Sequence, residues 1–404
     1  MDVHGFLGTE ASGKGSIRGS ACGMFSGEAA VALFVAYEAG DESEVGEVIE
    51  CCGGSGNGLP GTPTRSVPHV LGAAAKCSTQ PSRFSPRRDF HMAGTRTINW
   101  HGETAHILEG ADGARAHVIP AVGANCIAFS APIRGERVHL LSTPSSAEGA
   151  DVKVEVVERP GVMLHGFAAR VPWEVVASGA DFVTCQLDSE SVPDRGAAWP
   201  FPFRATATHR VADGKLTLAL AVENRARVPV PHLLGLHPYF PGRFTPAHGT
   251  LSDDTLPTAA DLVGEESAAA RETCDAWVHG DDWWEMSAGL GTGVVESLDS
   301  PSGAPYDLRH GRAIAELERT LGWGGAPGII PPGTAPRLPV LLYGRRDALA
   351  GASAGHEPWA PGGLCTGIDD RACGVRATLE TSAGFGANAL FCPPGFPFVS
   401  LEPR

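Results

Sequence analysis

Charged residues make up only 19% of this 404-residue chain and aromatic residues 7%, with just four tyrosines and five methionines. Basic residues are the scarcer sign: 31 Lys and Arg face 46 Asp and Glu, a formal charge of −15. Phosphate backbones are gripped through clustered Lys and Arg, so this balance argues against nucleic acid as a partner. No apolar run approaches the ~18 residues that would suggest a membrane span, and Met1-Asp2-Val3-His4 lacks the basic start of a signal peptide. The expectation is a soluble, cytoplasmic protein with no membrane partner. The ten cysteines include no CxxC pair and fall short of disulfide-scaffold density, so they read as free, mostly buried thiols. HExxH is missing too, which leaves metalloprotease chemistry without a signature. Gly8-Thr9-Glu10-Ala11-Ser12-Gly13-Lys14-Gly15 comes near a phosphate-binding loop. It fails at Gly15, where a magnesium-binding Ser or Thr is required.

What the chain does have is glycine and proline, 52 and 32 residues, together with 43% hydrophobic residues. Many turns, short strands and a sizeable core follow. Residues 1–92 show no sustained periodicity and include the Gly/Pro-rich run Gly53 to Pro63, a composition that resists compact packing. They read as a loosely ordered extension. Within it, Ala29 to Ala36 is apolar but too short to span a bilayer, and fits a helix turn or a buried strand.

Residues 93–404 read as one β-sandwich. Lys215 to Glu223 alternates, with Leu216, Leu218, Leu220 and Val222 on one face. The preceding run sets Phe203, Ala205, Ala207 and Val211 on one face, and Ala212-Asp213-Gly214 supplies the turn of a hairpin. Similar alternation marks Val152 to Val156, Phe182 to Leu187, Val375 to Glu380 and Phe398 to Glu402. Strands without helical patterns between them indicate a mainly β, antiparallel sandwich. Alternation weakens over about 265–360, read as a variable insertion holding a short helix at Arg312 to Leu321.

In Pro231-His232-Leu233-Leu234-Gly235-Leu236-His237-Pro238-Tyr239-Phe240 a titratable residue sits among apolar neighbours beside a rigidifying proline. From residue type alone, His237 is either a structural histidine bonded to a backbone carbonyl or an oriented acid–base group. At the other end, Val399 and Leu401 share one strand face, which sends Ser400 and Glu402 to the other. Glu402 is thus either an exposed glutamate or one aimed into a cleft.

Leu236-His237-Pro238-Tyr239-Phe240 resembles the His-x-Tyr-Phe segment of the aldose 1-epimerase (galactose mutarotase-like) family. Leu164-His165-Gly166-Phe167-Ala168 with Pro172-Trp173 resembles its His-Gly segment, particularly in the hexose-phosphate mutarotase-like branch, and Trp199 to Phe203 its central strands. Gly367-Ile368-Asp369-Asp370 and Ser400-Leu401-Glu402-Pro403 are similar to its later segments, in the family's order. The resemblance implies the galactose mutarotase-like supersandwich and interconversion of the α and β anomers of a hexose, with a small sugar as partner and neither cofactor nor metal. It makes His237 the general acid and Glu402 the base, with His165 and Asp369 binding the sugar. For the family's sugar-binding arginine, Arg159 and Arg170 are both candidates. Trp173 or Phe203 would offer a stacking face. A glucose-6-phosphate 1-epimerase and a catalytically silent carbohydrate-binding protein are the alternatives.

Overall fold

Hydrophobic alternation becomes four antiparallel sheets in the computed structural model. It describes residues 2–5, 29–39, 95–143, 166–192, 199–230, 234–244, 256–263, 267–287, 290–321, 340–345, 361–382, 385–394 and 396–404, the first two segments as backbone alone. The largest sheet has nine strands, in the spatial order Arg312–Ala313, Cys274–Val278, Pro361–Asp370, Val375–Ser382, Ala29–Ala39, Lys215–Asn224, Phe203–Ala212, Phe182–Asp188 and Glu174–Ser178. A six-stranded sheet runs Tyr239–Pro241, Phe398–Pro403, Ala387–Phe391, Val340–Gly344, Asp282–Ser287, Leu290–Ser297. A five-stranded meander covers Arg96–Trp100, Glu103–Glu109, Arg115–Ile119, Asn125–Ile133 and Glu136–Ser142. In the smallest sheet Asp2–Gly5 pairs with Leu234–His237.

The inward faces of the three larger sheets meet in one core. Leu216, Leu218 and Leu220 come from the nine-stranded sheet, Phe129 and Leu140 from the meander, and Leu390, Val399 and Leu401 from the six-stranded sheet. Burial of these side chains is what the alternation encodes.

The expected hairpin is present in register, Ala207 opposite Leu220 and Ala212 opposite Lys215. Its turn residues Asp213 and Gly214 both have positive φ, 52° and 70°, the conformation that lets a two-residue loop follow strand twist. On its inward face stands His209, fully buried, with Nε2 donating to Ala124 O at 3.0 Å. The strands expected at Phe182, Val375 and Phe398 are also found. Val152 to Val156 and the run Gly53 to Pro63 lie outside the described residues.

Two stretches that show no clear alternation in the sequence contain strands. Within residues 1–92, Ala29–Ala39 runs through the middle of the nine-stranded sheet, paired on one side with Lys215–Asn224 and on the other with Val375–Ser382. Its run Ala29 to Ala36 is apolar without alternation, so it carries no period-two signal. The stretch 265–360 likewise contains strands. Cys274–Val278 belongs to the nine-stranded sheet, and Asp282–Ser287, Leu290–Ser297 and Val340–Gly344 to the six-stranded one. Adjacent Trp283 and Trp284 pack on opposite faces, Trp283 against the main core and Trp284 against Leu342, Ala387 and Ala389. The apolar pair thereby masked the alternation. The short helix is Ile314–Leu321, with Arg312–Ala313 held as a strand by Cys274–Val278.

Candidate active site

His237 closes the strand Leu234–His237, and Pro238 then breaks the ladder before Tyr239–Pro241 joins the six-stranded sheet beside Phe398–Pro403. Tyr239 faces Ser400 in that register, so the chain delivers His237 to the edge of the last strand. All six residues of Phe398–Pro403 are buried. Alternation puts Val399 and Leu401 into the core and leaves Ser400, Glu402 and Arg404 on the opposite face. The strand is pinned beyond Glu402, because Arg404 and Ala387 exchange backbone hydrogen bonds of 2.8 and 3.0 Å.

On that face His237 Nε2 stands 3.1 Å from Glu402 Oε1, the two side chains only 8% and 5% exposed. Ser400 Oγ donates to Pro238 O at 2.8 Å and lies 2.9 Å from His237 Nδ1. A hydroxyl has one hydrogen; having given it to the carbonyl, Ser400 accepts from Nδ1–H. Nδ1–H is thus the donor to Ser400, and Nε2 is the ring nitrogen that faces Oε1. The imidazole stacks on Tyr239 at 4.5 Å and meets the edge of Phe391 at 6.1 Å, which fixes its plane. Arg404 Nη2 donates to the other carboxylate oxygen, Glu402 Oε2, at 2.5 Å. Opposite Glu402 in the neighbouring strand is Ala389.

The structure therefore joins His237 to Glu402, and Ser400 and Arg404, which the sequence reading left without roles, complete the chain of contacts. Both follow from counting in twos from Glu402 along a strand. Asp369 lies on the nine-stranded sheet. Ile368 and Asp370 turn into the interior, whereas Asp369 faces outward on the nine-stranded sheet, where Arg376 binds both its oxygens at 2.6 Å and Trp277 Nε1 donates at 3.2 Å. A sugar hydroxyl would have to share Asp369 with those donors. Asp370, fully buried, accepts from the backbone of Phe244, Ala372 and Cys373 and is structural. Arg170 is exposed on the 3-10 turn Ala168–Arg170, which packs against Asp2–Gly5, the partner strand of Leu234–His237. His165 and Arg159 lie outside the described residues.

Trp173 does not offer a stacking face: it is 4% exposed, in the core, with its indole N–H spent on Ala168 O at 2.9 Å. Phe203 packs on Phe167, ring centroids 5.9 Å apart. Among the described residues no group of three or more His, Cys, Asp and Glu is placed to hold a metal ion. No described helix is long and apolar enough to cross a membrane.

In the comparison with family models, residues 101–265 match the aldose 1-epimerase family, a span that holds the segments around Trp199 and His237. No curated protein matches the sequence. Among solved structures, a galactose mutarotase-like protein from Clostridium acetobutylicum is similar in fold, with a TM-score of 0.50 and 16% identity over 77% of this chain and 87% of that one. A galactose mutarotase-like protein from Lactobacillus casei has a TM-score of 0.41 and 14% identity over 74% and 87%. A galactose mutarotase related enzyme from Lactobacillus acidophilus gives 0.41 and 11% over 74% and 84%.

Proposed function

We propose that this chain is an aldose 1-epimerase that interconverts the α and β anomers of a hexose, with His237 and Glu402 as its acid and base. The observation that carries this reading is the buried 3.1 Å contact between His237 Nε2 and Glu402 Oε1, with the ring's other nitrogen committed to Ser400.

Opening a cyclic hemiacetal requires a proton to leave the C1 hydroxyl while another reaches the ring oxygen. Both oxygens are bonded to C1, so the base and the acid must stand side by side, as Glu402 and His237 do. Glu402 as carboxylate takes the hydroxyl proton, and the O–H electrons form the carbonyl. The C1–ring oxygen bond breaks toward oxygen, which receives the proton from His237 Nε2. The pair begins and ends this half-reaction holding one proton, moved from nitrogen to carboxylate. After rotation about C1–C2, Glu402 returns its proton to the carbonyl oxygen as His237 removes one from the closing hydroxyl. The chemistry balances without an oxidant, a metal or a covalent intermediate. Each such proton transfer is worth about 10²–10⁴-fold. Burial of the pair strengthens its electrostatics relative to water.

Polarimetry of freshly dissolved α-D-glucose and α-D-galactose, corrected for the spontaneous reaction, tests this, with glucose 6-phosphate followed by NMR. Acceleration on a free hexose supports the reading. Acceleration on the phosphate alone replaces it with a sugar-phosphate epimerase, and binding without acceleration replaces it with a carbohydrate-binding protein.

A further inference from the structure

The base in this site is not left to itself. Glu402 is 4% exposed, and an ionised carboxylate that far from water must find compensating charge or give up its ionisation. Its two oxygens are treated differently: Oε1 faces His237 Nε2 at 3.1 Å, and Oε2 accepts from Arg404 Nη2 at 2.5 Å. Arg404 has its own backbone fixed on both sides by Ala387 and its side chain only 18% exposed. Its guanidinium is therefore held at the carboxylate by the sheet. The groups around Glu402 include His237 and, stacked on it, Tyr239 from the strands before and after Pro238, with Ser400 from its own strand and Arg404 just beyond it. The neighbouring strand presents Ala387, Ala389 and Phe391, none of which titrates.

We propose that Arg404 is the positioning residue of this site: it occupies Oε2, turns Oε1 toward His237 and the sugar, and holds Glu402 as carboxylate so that the proton shared by the pair rests on His237. The assignment rests on the epimerase reading for its catalytic meaning. Without the guanidinium the favourable resting place of that proton is the buried carboxylate itself, because the neutral acid beside a neutral imidazole avoids burying charge. The pair would then start with its acid and base exchanged.

The test compares the wild-type chain with R404M, which keeps length and removes charge, and R404K, which keeps charge and loses the fork. R404M should lower kcat about 10–100-fold, as loss of a residue supporting a catalytic ligand typically does, with KM little changed and the acidic limb of the kcat profile moved to higher pH. R404K should recover most of the rate. In sugar-free protein, ¹⁵N NMR of the His237 ring reports where the shared proton sits, and its signals should differ between R404M and wild type and return in R404K. If R404M does not give the wild-type near-UV circular dichroism, R404Q takes its place. Folded R404M with the kcat profile and His237 signals of the wild type would overturn the proposal. If the wild-type chain accelerates no sugar, it is the epimerase reading that fails, and the nitrogen spectra alone decide the role of Arg404.

Discussion

Ser400 decides which nitrogen of His237 can work. Its hydroxyl, fixed on Pro238 O, leaves Nδ1–H as donor and Nε2 as the atom facing Glu402. S400A removes that acceptor and lets the ring choose the other tautomer; the expected result is a drop in kcat of about 10–100-fold with an unchanged melting temperature. The acid and base themselves are tested by E402Q and H237N. Each should lose at least about 10²-fold in anomerisation, read by polarimetry, while circular dichroism stays that of the wild type. Wild-type turnover in E402Q would remove Glu402 from the mechanism.

At the scale of elements, the strand Phe398–Pro403 places Ser400 and Glu402, and the loop before it is anchored from outside. Arg271, almost wholly buried, sends Nη1 to Phe396 O at 2.9 Å, Nη2 to Cys392 O at 3.1 Å and Nε to Glu318 Oε1 at 2.6 Å. The helix Ser267–Thr273 thereby clamps the loop to Ile314–Leu321, which carries Glu318. Cutting a buried charge from its partner is costly, so R271M should destabilise the fold by about 3–5 kcal/mol, measured by urea unfolding. A midpoint within error of wild type would show that the clamp is dispensable. The sequence marked a short helix at Arg312 to Leu321 but gave no hint of this link, because Arg271 and Glu318 meet only through tertiary packing.

For the molecule as a whole, acid sensitivity is set by histidines that the core keeps neutral. Burial pushes His139 down to about 4, with Arg137 and His117 adding to it, and burial takes His209 to about 3. Burial also lowers His106. A base whose folded value lies below its unfolded one, ordinarily about 6.5, favours the folded state in its neutral form. Its contribution is complete above about pH 6.5 and is lost as pH falls through that value toward the folded one. For His139 the difference corresponds to about 3 kcal/mol. Urea unfolding should therefore show stability falling between pH 7 and pH 4, and H139L should flatten part of that slope. A stability profile equally steep in H139L would assign the acid loss to other groups.

Much of this was legible in order along the chain. Period-two alternation announced the hairpin Phe203–Ala212 with Lys215–Asn224 and the last strand, because half-buried strands must alternate to put apolar groups on one side. His237 and Glu402 stood out as polar residues in apolar frames. Alternation fell silent at Trp283-Trp284, where both faces are covered, and along the continuous apolar run Ala29 to Ala36. The sequence by itself determined that the chain builds antiparallel sheets and which side of each half-buried strand is apolar, since both depend on neighbours along the chain. Only the tertiary structure decided that Asp369 is taken by Arg376 and Trp277 and that Arg404 meets Glu402. It alone set residues 237 and 402 in contact, because strand order and the reach of side chains across it are settled by packing the whole core at once.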